Sequence, residues 1–459
     1  MRTLFFRLLK HEDKADGLSE ALDGVRQGHA RNSVVHAVDP ASFQQVPGAP
    51  FAYWVSERIR RLFTELPQFE SQGREVRVGD HPGDGFRYLR LFWEVSTASQ
   101  EHNWRPYQKG GEFSPYYFDI HLVADWDEDR QTYRGFYGRP GRANERPSNY
   151  QYFFRPGLTW PRRTNGLSFR VLPVGCIFAD KGPAIFVEND IEIELLALGA
   201  ILNSRPFGHL VALQIARTQL AKSYEVGLIQ QTPIPDVTPE MTRHLATLTR
   251  CAWSLKHSLD TASETSHAFI LPALLQVAGE SLTARTRAWA ERVRESNVRL
   301  ACIQTEIDEH TFKLYGIYGL DREDMLDALS SAEEAGAETD DDVEDNEEIG
   351  QIDTTALIVQ LLSYGVGVVF KRFNFDLVLG RQPLPSEPEP FAPLPVCSPG
   401  MLMRADGRPA GPQDVPGDFS CTGILVDDEG HPEDLSRRLR QVLERIWPRP
   451  CFCNRTRSL

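Results

Sequence analysis

The sequence lacks any uninterrupted apolar run long enough to cross a bilayer, a crossing that takes about 20 residues in a helix. Residues 1–10 mix Phe and Leu with Arg2, Arg7 and Lys10, and this segment is too short and too charged for a secretory signal peptide. We therefore expect no membrane contact and a cytoplasmic location.

Cysteine is also scarce, with 7 residues scattered over 459 positions. Only Cys451 and Cys453 lie close together, and the single residue between them fits neither a zinc knuckle nor a redox Cys-x-x-Cys motif. The sequence therefore predicts no metal site. A reducing compartment such as the cytoplasm is the natural environment for these thiols.

Motifs that hold phosphates or cofactors are missing. The glycine-rich stretch 79–85 lacks the Gly-Lys-Ser/Thr ending of a phosphate loop. Gly365 and Gly367 lie at helical spacing without a preceding strand, which indicates close helix packing rather than a cofactor turn. The Ser-Pro-Tyr-Tyr segment at 114–117 lacks the second proline of the Asn/Asp/Ser-Pro-Pro-Tyr loop with which amino-methyltransferases grip a target amine. We interpret it as a structural turn, with catalytic use as the alternative.

Basic charge is in deficit overall but is concentrated locally. The formal net charge of -14 argues against a uniformly basic nucleic-acid binder. Nine arginines nevertheless lie between Arg130 and Arg170, with Glu145 as the only acid among them, and many aromatic residues share this window. Much of the acid lies at 333–348, where like charges at high density predict disorder. Local charge decides where a polyanion docks.

The segment 154–181 draws attention within this window. Arg162 and Arg163 stand between a Trp-Pro turn and a Thr-Asn-Gly turn, followed by two short strand patterns. Two adjacent guanidiniums on a braced loop suit phosphate or guanine-edge binding, because each presents a planar fork of donors. The alternative is a solvated arginine pair with no ligand.

Hydrophobic periodicity predicts a chain with both helices and strands. Predicted helices cover 17–27, 51–63, 191–202, 207–221, 239–259, 265–283, 287–307, 354–370 and 432–447. Predicted strands cover 87–95, 118–126, 167–171, 176–179, 224–231 and 424–426. A proline-rich stretch at 382–399 predicts a linker or lid.

Several ordered blocks of sequence carry a resemblance to a known family. These blocks are 50–57, 86–95, 109–117, 157–181, 202–206 and 223–235. Over about residues 39–447 the chain resembles the C-terminal half of the large adenine-specific DNA methyltransferases of BREX- and DISARM-type phage defence, which are close to type IIG restriction–modification enzymes.

This resemblance implies a target-recognition region followed by a helical spacer. In the family, an N-terminal Rossmann-like domain transfers the methyl group, binds S-adenosylmethionine through a glycine-rich loop and holds adenine with Asn-Pro-Pro-Tyr. Neither motif occurs in this chain. We therefore expect no cofactor and no catalytic residue here, with S-adenosylmethionine on a catalytic domain outside it. The chain then looks like the recognition half of a split or truncated gene, inactive alone.

The predicted fold class is α+β. It comprises a mixed α/β target-recognition domain at 39–237, preceded by a helical remnant at 1–38. A helical spacer follows at 238–332, then the acidic tract at 333–350. The C-terminal region at 351–459 is predicted to be a small α/β segment with the proline-rich linker.

The leading hypothesis is recognition of double-stranded DNA for adenine-N6 methylation, with a catalytic methyltransferase domain or other defence proteins as partners. Arg162 and Arg163 would contact phosphates or guanine, while Asn165 and Gln230 would read adenine edges. The backbone-positioning residues would be Lys109, Arg155, Arg170 and Lys181, with Trp160 beside them. The alternatives are a complete, divergent methyltransferase that uses the 114–117 segment, and a protein-interaction subunit that docks through the acidic tract.

Overall fold

The computed structural model describes residues 2–8, 11–27, 34–79, 82, 84–96, 103–126, 149–215, 223–327, 353–404, 409–410 and 424–447. The acidic tract and the arginines from Arg130 to Arg146 lie outside these ranges. Among the described residues, no helix combines the length and apolarity that a membrane span requires.

Helices make up most of the described secondary structure. They are α1 Lys14–Arg26, α2 Glu57–Glu65, α3 Gly85–Tyr88, α4 Glu192–Leu202, α5 Arg205–Ile215, α6 Val226–Gln231, α7 Pro239–Asp260, α8 Leu282–Tyr315, α9 Thr354–Val369, α10 Phe375–Val378 and α11 Leu435–Ile446. The stretch 319–327 is also helical. Side-chain caps mark several helix starts, because the first backbone N–H groups lack intrahelical acceptors. Thr238 caps α7 with Pro239 at its first turn, and Ser281 caps α8.

The strands are short and form three small sheets. They are β1 Thr3–Phe6, β2 Val35–Val38, β3 Glu75–Arg77, β4 Leu89–Leu91, β5 Trp104–Gln108, β6 Leu122–Asp125, β7 Gly157–Thr159, β8 Arg170–Leu172, β9 Ile177–Phe178 and β10 Ala184–Phe186. β1 pairs with β2, one four-stranded sheet has the order β3-β10-β7-β8, and the other has the order β4-β6-β5-β9. The β5–β9 pair is parallel, and it joins Tyr107 to Ile177.

The largest hydrophobic core lies between the β3-β10-β7-β8 sheet and the helices α2, α4, α5, α7 and α8. Helices α4 and α7 pack closely, since a Cβ on Gly199 would lie 3.2 Å from Cγ2 of Thr249. This core includes residues on both sides of the predicted domain boundary at 237, and the boundary itself stays a prediction. A second core fills the β4-β6-β5-β9 sheet, and two smaller ones lie around α9 and α11.

The α+β class predicted from the sequence is confirmed, and most of the longer helices lie where periodicity places them. The predicted close packing at Gly365 and Gly367 is also confirmed. A Cβ on Gly365 would lie 2.8 Å from Leu439 on α11, and one on Gly367 would lie 2.2 Å from Phe373. Helix α8 extends well beyond the predicted 287–307 at both ends.

Other local predictions were wrong. The 51–63 helix begins only at Glu57, because the Ser56 hydroxyl caps it by accepting from the Ile59 N–H at 3.3 Å. The predicted strand 224–231 is the helix α6. The predicted helix 265–283 contains only a 3-10 turn at 273–275, because Ser and Asp side chains bond the local backbone instead.

Strand predictions also needed shortening. The 87–95 segment contains the end of α3, strand β4 and a 3-10 turn, since Asp84 caps α3 and Glu94 accepts from the Leu91 N–H at 2.9 Å. Residues 424–426 form only an isolated bridge from Val426 to Asp434.

Candidate nucleic-acid interface

Four basic side chains that are far apart in the sequence line one cleft of about 590 Å³. They are Lys109, Arg162, Arg163 and Lys181, and we call this site the basic cleft. Lys109, Arg163 and Lys181 are exposed, and Arg162 is half-buried. The cleft thus presents several positive charges to solvent on a fixed framework, an arrangement that suits an anionic ligand.

Two backbone segments meet at the floor of the basic cleft. The Arg162 N–H donates to the Lys181 carbonyl at 3.0 Å, and the Ala179 N–H donates to the Gln108 carbonyl at 2.9 Å. Gly110 has a φ of 122°, and a Cβ there would lie 2.8 Å from the Lys181 oxygen. Only glycine allows this approach without strain, so residue 110 brings Lys109 beside the arginine loop.

Arg162 is held by an acidic partner from a distant part of the chain. Its Nε donates to Oε1 of Glu225 at 2.8 Å, and Ser223 donates to the same carboxylate at 2.7 Å. Burial raises the pKa of Glu225, but the Ser223 hydrogen bond and the Arg162 charge outweigh it and leave this pKa below its usual value. Arg162 is therefore pre-oriented, while the adjacent Arg163 remains exposed.

Arg170 braces the cleft from beneath rather than lining it. Its side chain is buried, and it donates to the Glu112 carbonyl at 2.9 Å and to the Gly110 carbonyl. Its guanidinium lies 4.5 Å from the Phe118 ring centroid. Burial lowers the pKa of Arg170 to about 10, with Glu112 opposing the shift. This arginine holds the 110–112 backbone in place.

Three other residues predicted to contact DNA are also engaged inside the protein. Trp160 is fully buried and donates from Nε1 to the Tyr224 carbonyl at 2.9 Å. Arg155 pairs with Asp190 at 2.7 Å and lies over Tyr152 and Phe186. Gln230 donates to the Val76 carbonyl at 3.1 Å. The structure thus gives these residues, like Arg170, a supporting position away from the basic cleft.

Asn165 lies on the same loop as the arginine pair and is exposed. It is the one amide predicted to read bases that faces solvent beside Arg163. Among the nine predicted residues, the structure therefore brings Lys109, Arg162, Arg163 and Lys181 together, with Asn165 on the adjoining loop.

The cleft also contains polar residues that sequence reasoning missed. Asp119, His121 and Asp180 line it. Asp119 is buried and accepts from the His267 backbone N–H at 3.0 Å, with the His267 ring at 3.1 Å. Burial raises the pKa of Asp119, but His267 outweighs this effect and the pKa is lowered. Residues 119 and 267 are 148 positions apart, so no local pattern indicates this pair.

The 114–117 segment is tied into the fold by its own polar groups. Ser114 donates to the Tyr117 carbonyl at 2.7 Å, and Tyr117 donates to Asp260 at the same distance. Lys256 on α7 donates to Ser114 and to the Pro115 carbonyl. Burial lowers the pKa of Lys256 to about 8, with Arg170 adding to the shift and Asp260 opposing it. These contacts are those of a structural turn.

No protein-family profile matches this chain. The chain is 27% identical over 369 residues to the adenine-specific methyltransferase PglX of Lacticaseibacillus casei (strain Zhang). It is 25% identical over 417 residues to the adenine-specific methyltransferase BrxX of Escherichia coli O9:H4 (strain HS). The chain is a relative of these adenine-specific methyltransferases. The resemblance to BREX-type enzymes predicted from the sequence is thereby confirmed.

The two alignments cover different shares of each protein. They include 74% and 88% of this chain but only 28% of PglX and 31% of BrxX. The chain therefore spans less than a third of the length of either relative.

Proposed function

We propose that this chain recognises double-stranded DNA in support of adenine-N6 methylation in a phage-defence or restriction–modification system. A catalytic domain outside the chain would bind S-adenosylmethionine and transfer the methyl group. The observation that carries the proposal is the convergence of Lys109, Arg162, Arg163 and Lys181 on one cleft. The relationship to PglX and BrxX supplies the chemistry that such a cleft would serve.

The charge arrangement of the basic cleft supports a duplex ligand. Exposed lysine and arginine side chains gain affinity for DNA by displacing condensed counterions from the phosphates. Lys109 and Lys181 are compact point charges suited to phosphate, whereas the planar fork of Arg163 suits guanine O6 and N7 as well. Lysines would thus position the backbone, and Arg163 would read sequence.

Residues beside the basic cations favour a base-reading role over a purely electrostatic one. The Asp180 carboxylate is a potential acceptor for an exocyclic amino group of cytosine or adenine. Asn165 on the neighbouring loop offers the donor and acceptor pair that matches an adenine edge. A carboxylate in the cleft weakens non-specific attraction, so correct base contacts would count for more in discrimination.

The decisive test is binding of duplex DNA to a double variant, Arg163→Ala with Lys181→Ala. At low salt, against a pool of random duplexes, we expect affinity to fall at least tenfold. The slope of log Kd against log salt should shrink by up to about 1.8, since each lost phosphate contact contributes about 0.9.

The matched control is Arg287→Ala with Arg299→Ala, which removes the same charge from exposed positions on α8. We expect it to keep wild-type affinity. An equal loss in both double variants would show that total charge, not the basic cleft, governs binding. Unchanged affinity in the cleft variant would refute the proposed site.

A further inference from the structure

Three side chains from two helices meet at a point outside the basic cleft. Glu306 and His310 are four residues apart on α8, and His244 projects from α7. The Nε2 atoms of His244 and His310 lie 3.1 Å apart. Oε1 of Glu306 lies 3.1 Å from the His244 Nε2 and 4.0 Å from the His310 Nε2. Spacing of i and i+4 puts both α8 ligands on one helix face.

These separations match those around a small tetrahedral cation. With zinc–nitrogen bonds of about 2.0–2.1 Å, neighbouring ligand atoms of a tetrahedral site lie about 3.3 Å apart. Two imidazoles and one carboxylate form a ligand set that zinc accepts, and the remaining position then takes water. We propose that His244, Glu306 and His310 bind one divalent transition-metal ion of the zinc class, which clamps α7 to α8.

A hydrogen bond alone explains this arrangement less well. His244 Nε2 is equally close to the His310 ring and to the Glu306 carboxylate. One N–H on that nitrogen satisfies one of those neighbours, whereas a cation between the three residues accepts a lone pair from each. The nearby Glu309 is already paired with Arg322 at 3.1 Å, so it does not compete for the ion.

The helices hold the three ligands on a packed base. Leu245 beside His244 and Ile307 beside Glu306 are both fully buried in the largest core. The ligand side chains themselves are 41%, 48% and 25% exposed, so an ion and a water can enter from solvent. Ligands on rigid helices lose little freedom when the ion binds, which favours affinity.

Binding of Zn²⁺ to the chelator-treated chain tests the proposal by titration calorimetry. Cys251 and Cys302 are exposed on the same helices and bind zinc readily, so both are first replaced by serine. In this background we expect one equivalent to bind, and His244→Ala or His310→Ala to weaken affinity at least tenfold. Glu306→Gln keeps the side-chain shape and should also weaken binding.

The matched control is His431→Ala, which removes an exposed histidine from a distant loop and should leave affinity unchanged. Bound Co²⁺ should give a tetrahedral visible spectrum without a thiolate charge-transfer band. Zn²⁺ should raise the melting temperature of the background protein but not that of His310→Ala. Equal zinc affinity in the His310→Ala and His431→Ala proteins, or an octahedral cobalt spectrum, would overturn the proposal.

Discussion

The Arg162 guanidinium donates from Nε to the Glu225 carboxylate at 2.8 Å, and this contact joins the basic loop to the start of α6. The pair is only partly exposed, at 30% and 47% of the two side chains. Such a pair keeps Arg162 in one orientation while sharing part of its charge with a neighbour. DNA and Glu225 would therefore compete for the same donors.

Removal of this competitor should strengthen DNA binding. In Glu225→Gln the carboxylate charge is lost but the amide still accepts a hydrogen bond, so Arg162 keeps its place. A partly exposed pair contributes up to about 1 kcal/mol, which corresponds to roughly fivefold in affinity. We expect fluorescence anisotropy to show a gain of this order at low salt. Glu291→Gln, an exposed glutamate on α8, is the control, and weaker binding by Glu225→Gln would contradict the prediction.

Arg170 should affect stability far more than Arg163 does. Arg170→Ala leaves the Gly110 and Glu112 carbonyls without their donor and opens space beside Phe118. We expect a loss of about 3 kcal/mol in the free energy of unfolding, measured by urea denaturation. Arg163→Ala should stay within about 0.5 kcal/mol, as an exposed substitution does. Similar losses in both variants would contradict the supporting position of Arg170.

The Asp119–His267 pair should make stability depend on pH at the acidic end. A carboxyl whose folded pKa is lowered contributes stability above its unfolded pKa of about 3.9, and this contribution disappears as pH falls through the folded pKa. The advantage of wild type over Asp119→Asn should therefore be larger at pH 5 than at pH 3. Urea denaturation at both pH values measures it, and a constant difference would contradict the assignment.

The isolated chain should show no measurable uptake of S-adenosylmethionine. We predict this because the sequence contains neither the glycine-rich loop nor the Asn-Pro-Pro-Tyr motif with which the family binds cofactor and adenine. Equilibrium dialysis against labelled S-adenosylmethionine is the measurement. Stoichiometric binding that Ser114→Ala and Tyr117→Phe abolish would instead support a complete methyltransferase that uses the 114–117 turn.

Sequence reasoning succeeded where information is local. Helices such as α4 and α7 carry enough apolar residues at helical spacing, with Thr238 and Pro239 marking the start of α7, for their positions to be predicted. Short strands were less predictable, because two or three residues carry no clear alternation. Their limits depend on pairing partners, as with β5 and β9, which are distant in the chain.

The sequence by itself determined the α+β class, the relationship to adenine-specific methyltransferases and the importance of the arginine loop. Only the tertiary structure decided which basic residues share a surface. It buried Arg170 and Trp160 beneath the loop and brought Lys109 to the basic cleft through the contact between Gly110 and Lys181. It also placed His244 against Glu306 and His310. Such contacts join residues tens of positions apart, so they depend on the packing of whole elements rather than on any local pattern.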